Sequence, residues 1–388
     1  MDEAMKKTAD IVIVGAGIIG VSIAYYLGKM GAKNVVLLEK DLIGMGSTGL
    51  CAGGIRRQWS TEVNMQFAMK SFEVFQNFEN EFGASPDFHQ IGYLFLARDQ
   101  EESGSFKKNI ELQNRFGVPS RLLTHEQVKE AWPFLNLEDI YGAAFCDTDG
   151  YAGPTEVTNA IAKGARRYGI GIFEKTEVIS IGVSKDRIVS VTTRDGSIET
   201  HTVVNAAGPY AANVGKLAGL EIPVNPIRRQ LFVTDPFDKI PPSVPLTIDH
   251  KQNFYFRREG ECVLLSGPQD EKPSFNLTTD FDSMVQTAEK AMHRVPVFEK
   301  ARINRGWAGL YEISPDNHAI LGKIPEVEGF ILAVGFSGHG FQHGPAAGMT
   351  IAELIWNGKS ESIDINPLAL TRFKEGKAIK ESLTAFKD

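Results

Sequence analysis

Cysteine is scarce in this chain of 388 residues, and its scarcity excludes two kinds of site. The three cysteines, Cys51, Cys146 and Cys262, lie far apart, with no C-x-x-C pair and no histidine at zinc-binding spacing. A disulfide framework is therefore excluded, a reducing compartment such as the cytoplasm is expected, and no metal site is predicted. Asp147 and Asp149 alone lack the further ligands that a metal ion needs.

An excess of basic charge is also missing. The sequence has 41 lysines and arginines against 48 acidic residues, so its net charge is −7. Binding to the phosphates of nucleic acid or to an anionic membrane surface depends on positive charge, and neither is expected. The hydrophobic fraction of 43 % is ordinary for a globular protein. The length allows two or three domains, or one composite fold with an inserted piece.

An uncharged run near the start, residues 11–28, is long enough to resemble a signal peptide or a short membrane span. It contains Gly15, Gly17 and Gly20, and a second apolar run follows at residues 35–38 without a cleavage site. A strand, a glycine turn and a helix over residues 18–30 explain this pattern better. No transmembrane segment is predicted.

The three glycines follow the G-x-G-x-x-G spacing of dinucleotide-binding folds. Gly15 permits the tight turn, Gly17 lets the backbone approach a pyrophosphate, and Gly20 lets the helix pack closely on the strand. Glu39 follows Gly20 by 19 residues and can accept hydrogen bonds from an adenosine ribose. FAD and NAD share this fingerprint, so the spacing alone leaves both open.

The remainder of the chain favours FAD. Residues 44–49 form a second loop of small residues that can reach the far side of a pyrophosphate. Further along, the spacing of apolar residues over 61–82 predicts one amphipathic helix. Alternating runs at residues 176–183, 187–193 and 198–204 then predict a β-meander. Residues 223–295 predict a mostly antiparallel sheet. An NAD-only fold usually continues directly into another βα unit.

A glycine-rich loop near the C terminus gives the second strong signal. Residues 330–334 predict a strand, and the loop after it leads into a helix predicted to begin near Pro345. The N terminus of a helix stabilises negative charge, which a reduced flavin carries on its pyrimidine ring. This loop is therefore suited to the redox end of a flavin.

Seven segments spread over nearly the whole chain resemble, in order, the FAD-dependent amine oxidoreductase family that includes glycine oxidase, monomeric sarcosine oxidase and D-amino-acid oxidase. Within it, the sequence is most similar to the β subunits of heteromeric sarcosine oxidase and dye-linked L-proline dehydrogenase. The segments are VIVGAGIIG (12–20), LLEK (37–40), GSTGLCAGGIRRQ (46–58), IGYLFLA (91–97), VVNAAGPYA (203–211), GWAGLYEISPD (306–316) and GFSGHGFQHGPAAG (335–348).

The resemblance implies an α/β fold combined with an antiparallel sheet. A Rossmann-like FAD-binding domain is expected over residues 1–85, 146–222 and 303–388. An interleaved substrate domain is expected over residues 86–145 and 223–302.

The resemblance also implies which residues contact FAD. Val178 matches the position whose backbone meets the adenine, and residues 206–208 match a small-residue turn near the phosphates and the ribitol. The predicted FAD contacts are Gly15, Ala16, Gly17, Ile18, Gly20, Glu39, Lys40, Gly46, Ser47, Thr48, Gly53, Gly54, Val178, Ala206, Ala207, Gly208, Gly309, Gly338, His339, Gly340, Phe341 and Gln342.

Covalent attachment of the flavin is not expected. Relatives with covalent FAD carry a cysteine at the position of Gly309 or a histidine near the second glycine loop, and this sequence has neither. Pro154 stands where heteromeric sarcosine oxidase has the histidine that binds FMN. The sequence therefore predicts one dissociable FAD.

The substrate site is predicted from the same resemblance. Arg57, rather than its neighbour Arg56, is expected to bind a substrate carboxylate, as a guanidinium can do through two hydrogen bonds. Tyr255 and Tyr311 are expected to form pocket walls, and His339 is expected to tune the protonation of the substrate amine. Gln342 occupies the position of a lysine that helps to bind the carboxylate in sarcosine oxidases.

A second lysine, which promotes the reaction of the flavin with oxygen in sarcosine oxidases, is replaced by Leu264. This loss favours a dehydrogenase that passes electrons to an α-type partner subunit, another acceptor protein or a dye. The predicted reaction is hydride transfer from the α-carbon of a proline- or sarcosine-like amino acid to flavin N5, which gives an imine. Two alternatives stay open: an α-hydroxy-acid dehydrogenase, and an assembly protein that keeps FAD only for structure.

Overall fold

The computed structural model describes residues 6–381. Its strands form a six-stranded, an eight-stranded, a three-stranded and a two-stranded sheet. The strands are β1 (Ile11–Val14), β2 (Val35–Leu38), β3 (Gly54–Ile55), β4 (Tyr93–Ala97), β5 (Arg121–Thr124), β6 (Gly142–Cys146), β7 (Gly150–Tyr151), β8 (Gly171–Phe173), β9 (Val178–Ser184), β10 (Arg187–Thr193), β11 (Gly196–Glu199), β12 (Val203–Asn205), β13 (Asn225–Thr234), β14 (Leu246–Asp249), β15 (Phe254–Glu259), β16 (Cys262–Gln269), β17 (Ile303–Ile313), β18 (Ile320–Lys323) and β19 (Phe330–Val334).

Helices cover the six-stranded sheet and parts of the eight-stranded sheet. They are α1 (Ile18–Met30), α2 (Glu62–Gln76), α3 (Phe78–Phe82), α4 (Gln100–Arg115), α5 (His125–Ala131), α6 (Pro154–Arg167), α7 (Ala211–Leu217), α8 (Phe281–Arg294) and α9 (Gly340–Trp356), with short 3₁₀ turns at Gly208–Tyr210, Pro296–Lys300, Asn366–Leu368 and Leu370–Phe373. Among residues 6–381, none of the helices is long and apolar enough to cross a membrane.

The six-stranded sheet has the order β18-β19-β12-β1-β2-β8, and every pair except β18–β19 is parallel. Strands β1, β2 and β19 are continuous apolar runs because both faces of the sheet are covered. Ile11 and Ile13 pack with helices α1, α6 and α9 on one face, whereas Val12 and Val14 pack with the three-stranded sheet and α7 on the other. The strand, turn and helix predicted over residues 11–30 are confirmed.

The eight-stranded sheet has the order β17-β13-β16-β15-β14-β4-β6-β5 and is antiparallel apart from the β14–β4 pair. The mostly antiparallel sheet predicted from residues 223–295 is thus present. It also includes strands from residues 93–146 and 303–313. The predicted division of the chain into two domains stays a prediction.

Three boundary predictions were wrong. The helix expected over residues 61–82 is two helices, because Asn77 leaves helical geometry with φ −101° and ψ 14°. The strand expected at residues 198–204 is two: β11 pairs with β10, whereas β12 enters the parallel sheet between β1 and β19. The last helix begins at Gly340 rather than near Pro345, and Pro345 lies in its second turn.

Candidate active site

A cavity of about 670 Å³ is lined by residues from both the six-stranded and the eight-stranded sheets. Of the predicted FAD contacts, all except Ala16 and Gly20 line it. Of the predicted substrate-site residues, Tyr255, Tyr311, His339 and Gln342 line it and Arg57 does not. The structure therefore brings together segments that are more than 300 residues apart in the sequence, from Gly15 to Gln342.

The first glycine turn meets the second glycine loop at the start of α1. Gly17 caps this helix and offers no side chain, and Thr48 Oγ1 accepts a hydrogen bond from the Ile18 amide at 3.1 Å. Glu39, just after β2, accepts from the Ala16 amide at 2.8 Å and from the Asp41 amide at 2.9 Å. These hydrogen bonds fix the Glu39 carboxylate beside the helix N terminus, and together the two form a site suited to ribose and phosphate groups.

Ala16 and Gly20 stabilise this turn without lining the cavity. Ala16 is buried and contributes its amide to Glu39, whereas Gly20 lies in α1 directly against the backbone of the turn. A Cβ added to Gly20 would lie 1.8 Å from the Gly15 carbonyl oxygen. Their predicted part in FAD binding is therefore indirect in this structure.

The C-terminal glycine-rich loop leads from β19 into α9. Gly338 adopts φ +91°, and a Cβ there would lie 2.4 Å from the Tyr311 ring. The N terminus of α9 follows at once, capped by His339, and this end of the helix lines the cavity. A helix of 17 residues presents amide groups and a positive dipole there, which suits the anionic ring of a reduced flavin.

Arg57 is not placed where the sequence-based prediction put it. Its Nε donates to Asp149 Oδ1 at 3.2 Å, its amide donates to Asp149 Oδ2 at 3.0 Å, and its guanidinium lies 3.7 Å from the centre of the Phe72 ring. The neighbouring Arg56 lines the cavity instead. In this structure Arg57 is held by a buried protein carboxylate away from the cavity, and its role as the carboxylate ligand stays a prediction.

Two buried arginines line the cavity. The Arg56 guanidinium lies 3.5 Å from the centre of the Trp59 ring and donates to the Gln58 carbonyl, and the Arg56 amide donates to Gln342 Oε1 at 2.9 Å. Arg229, in β13, donates from Nη1 to Gln269 Oε1 at 3.0 Å. Burial lowers the pKa of both guanidinium groups, so an anion placed beside them would be stabilised.

Arg229 was missed by the sequence analysis, although it lies next to two residues that were predicted. Strand pairing sets it directly opposite Gly309, and its guanidinium carbon lies 5.6 Å from the centre of the Tyr311 ring. A sequence signal did exist. Arg228 and Arg229 are adjacent in an apolar strand, so their side chains must point to opposite faces of the sheet.

Tyrosines surround this part of the cavity. Tyr93, Tyr255 and Tyr311 line it; the first two are buried and Tyr311 is half-buried, and burial raises the pKa of each phenol. They therefore stay protonated and can donate hydrogen bonds. Tyr93 was not predicted. The apolar side chains of Leu231, Leu246 and Ile248 complete this wall.

His339 presents a hydrogen-bond acceptor. Its Nε2 lies 3.0 Å from the Asn317 carbonyl oxygen, so Nε2 carries the proton and Nδ1 keeps a lone pair. Nδ1 is buried and has no hydrogen-bond partner within residues 6–381. Burial lowers the pKa of His339 to about 3, so the imidazole is neutral at physiological pH.

Glu312 was also missed by the sequence analysis. Its Oε2 accepts from the Gly335 amide at 3.0 Å, and its carbonyl accepts from the Ser337 amide at 3.1 Å. The residue thus ties β17 to the glycine-rich loop, and it also lines the cavity. Burial raises the pKa of its carboxyl group to about 7.

We expect Glu312 to lower stability as the pH rises. In the unfolded chain the carboxyl loses its proton near its ordinary pKa of 4.5, whereas in the folded protein it keeps the proton until about pH 7. The free energy of unfolding therefore falls by on the order of 3 kcal/mol between these two pKa values, and it falls no further at higher pH. The test compares the free energies of unfolding of Glu312→Gln and the wild type, measured in urea from pH 4 to pH 9. The value for the variant minus the value for the wild type should grow by this amount as the pH rises. A difference that is constant with pH would contradict the assignment.

A comparison with models of known protein families matches residues 10–354 to the family described as FAD dependent oxidoreductase. The chain belongs to this FAD-dependent oxidoreductase family. FAD is therefore its cofactor, and the predictions of the family, the fold class and the enzyme class are confirmed. The two helix N termini and the glycine turns that line one continuous cavity fit such a dinucleotide.

Among solved structures, this FAD-dependent oxidoreductase is similar to L-proline dehydrogenase from P. horikoshii, with a TM-score of 0.89 and 36 % identity over 96 % of this chain and 99 % of that one. Glycine oxidase from Geobacillus kaustophilus matches with a TM-score of 0.84 and 25 % identity over 95 % and 99 %. Mitochondrial sarcosine dehydrogenase from Mus musculus is 30 % identical over 96 % of this chain, which spans 42 % of the length of that relative.

Proposed function

We propose that this FAD-dependent oxidoreductase oxidises a primary or secondary amino acid, proline- or sarcosine-like, whose carboxylate is held by Arg229. The observation that carries the proposal is that a buried guanidinium and the glycine-rich loop before α9 line the same cavity. The names of the similar proteins, L-proline dehydrogenase and sarcosine dehydrogenase, support this substrate class.

The carboxylate fixes the orientation of the substrate. Arg229 provides a planar set of donors from the strand next to Tyr311, and the protonated hydroxyls of Tyr255 and Tyr311 can add hydrogen bonds. Leu231, Leu246 and Ile248 provide an apolar surface for a small or cyclic side chain. Holding the α-carbon in one place supplies much of the rate acceleration.

The amine must be neutral before its α-carbon can be oxidised. His339 cannot keep a proton at neutral pH, but its free Nδ1 can accept a hydrogen bond from the N–H of a neutral amine. The ammonium proton is therefore released to solvent. When bound, FAD would supply the acceptor for the α-hydrogen and its two electrons as a hydride, and loss of the N–H proton would leave an imine.

The electrons are proposed to leave to a partner subunit, another acceptor protein or a dye rather than to oxygen. Gln342 lines the cavity where related oxidases carry a lysine, and its Oε1 is bound to the Arg56 amide. The other replaced position, Leu264, is buried in β16 and brings no charge. The FAD is proposed to be dissociable, because Gly309 offers no atom for covalent attachment.

Anaerobic reduction tests the proposal. The holoenzyme should lose its yellow colour when mixed with proline, sarcosine or another amino acid from a broad panel, and a dye should restore it faster than oxygen does. Visible absorbance follows both steps. Bleaching by α-hydroxy acids but not by amino acids would favour a hydroxy-acid dehydrogenase, and a flavin inert to every compound would favour an assembly role.

A further inference from the structure

A loop between β16 and α8, residues 270–280, is held firmly at its two ends; we call it the strap. Arg228 donates to both oxygens of Asp270 at 2.9 and 3.1 Å and to Asp280 Oδ2 at 3.1 Å. The Ser274 amide also donates to the Pro226 carbonyl at 2.8 Å. A single arginine of β13 therefore binds the first and the last residue of the strap.

The tip of the strap makes a different kind of contact. Phe275 stacks on Tyr210, with ring centres 4.7 Å apart and planes inclined by 24°. Tyr210 ends the 3₁₀ turn that follows the predicted FAD turn at residues 206–208, and Lys40 Nζ lies 4.5 Å from the centre of the Tyr210 ring. The tip thus reaches from the eight-stranded sheet to the wall of the predicted nucleotide site.

Residues on both partners of this contact line the cavity. Tyr210 and Lys40 line it, and so do Gln269 and Leu277, which flank the tip in sequence. Phe275 is not among the lining residues, and 43 % of its surface is exposed. Phe275 therefore covers Tyr210, a cavity-lining residue, from the solvent side without lining the cavity itself.

We propose that the strap closes over the cofactor site and that the stack of Phe275 on Tyr210 retains the dissociable FAD. Charged pairs hold the ends of the strap and the Ser274 amide holds its backbone, whereas the Phe275 ring itself is held by its stack on Tyr210. The ring can therefore leave Tyr210 while the backbone of the strap stays in place. This inference rests on the proposed position of FAD. It assigns to the strap a retaining role that is separate from the oxidation of the substrate.

The test is the rate of FAD release from the holoprotein, followed by the rise of flavin fluorescence after dilution. Phe275→Ala should release FAD roughly two- to tenfold faster than the wild type, the range expected for loss of one aromatic pair. Phe275→Tyr keeps the ring and should release FAD at the wild-type rate. Phe281→Ala is the matched control, because Phe281 lies just beyond the strap and is 70 % exposed.

Equal release rates for Phe275→Ala and the wild type would overturn the role of the strap, and so would the same acceleration in Phe281→Ala. Faster reduction by substrate with unchanged FAD release would also overturn it, since the strap would then admit substrate instead. The measurement uses no substrate. Its failure therefore leaves the proposed oxidation standing, and a failed bleaching experiment leaves FAD release measurable.

Discussion

Replacement of Arg229 with methionine is expected to weaken substrate binding by roughly 10² to 10³. The side chain lines the cavity, is buried, and lies 5.6 Å from the centre of the Tyr311 ring. Without its charge, a carboxylate beside Tyr311 would lose the guanidinium proposed to bind it and would be buried without that partner. The dissociation constant from the anaerobic reduction of the flavin at increasing amino-acid concentrations measures the effect, while the FAD content should stay at the wild-type level.

Two variants separate this role from a general loss of buried charge. Arg229→Lys keeps the charge but loses the planar pair of donors, so its affinity should fall between those of the wild type and Arg229→Met. Arg57→Met removes another buried arginine, whose partner is Asp149. It should lower the free energy of unfolding by about 3–5 kcal/mol and leave the substrate affinity of the folded protein unchanged. If Arg57→Met instead weakened substrate binding as strongly as Arg229→Met, Arg57 would be the carboxylate ligand.

The nucleotide turn could be predicted because its determinants are local. Gly15, Gly17 and Gly20 fall within six residues, and Glu39 is brought to them by a parallel strand pair that sets Val14 beside Leu38. A pattern of apolar residues and glycines fixes such a unit without reference to the rest of the chain. The placement of the glycine-rich loop beside the same cavity came from the family resemblance.

The substrate site depends on strand register, which short patterns do not determine. Arg56 and Arg57 are adjacent, and a displacement by one residue exchanges which side chain enters the cavity. Arg229 meets Gly309 only because β13 pairs with β17, 80 residues further along the chain. Glu312 likewise acquires its role from the Gly335 amide, and its own segment gave no sign of that partner.

Replacement of Gly20 with alanine is expected to remove FAD from the purified protein and to destabilise the fold. The added Cβ would lie 1.8 Å from the Gly15 carbonyl oxygen and 3.4 Å from Leu37 Cδ1, so α1 would have to move away from the turn. Overpacking of this kind costs about 1–3 kcal/mol, and the movement also displaces the amides at the start of α1. The ratio of flavin to protein absorbance and the urea unfolding curve measure the two effects.

Two further alanine variants separate the loss of cofactor from the loss of stability. A Cβ at Gly17 would meet only Thr48 Oγ1, at 3.1 Å, but Gly17 lines the cavity. Gly17→Ala should therefore fold with nearly wild-type stability and bind FAD more weakly. Gly104, within α4, has open space around it, and Gly104→Ala should raise stability by about 0.5–1 kcal/mol with full FAD content. If Gly20→Ala behaved like Gly104→Ala, close contact between the helix and the turn would not be what holds the dinucleotide.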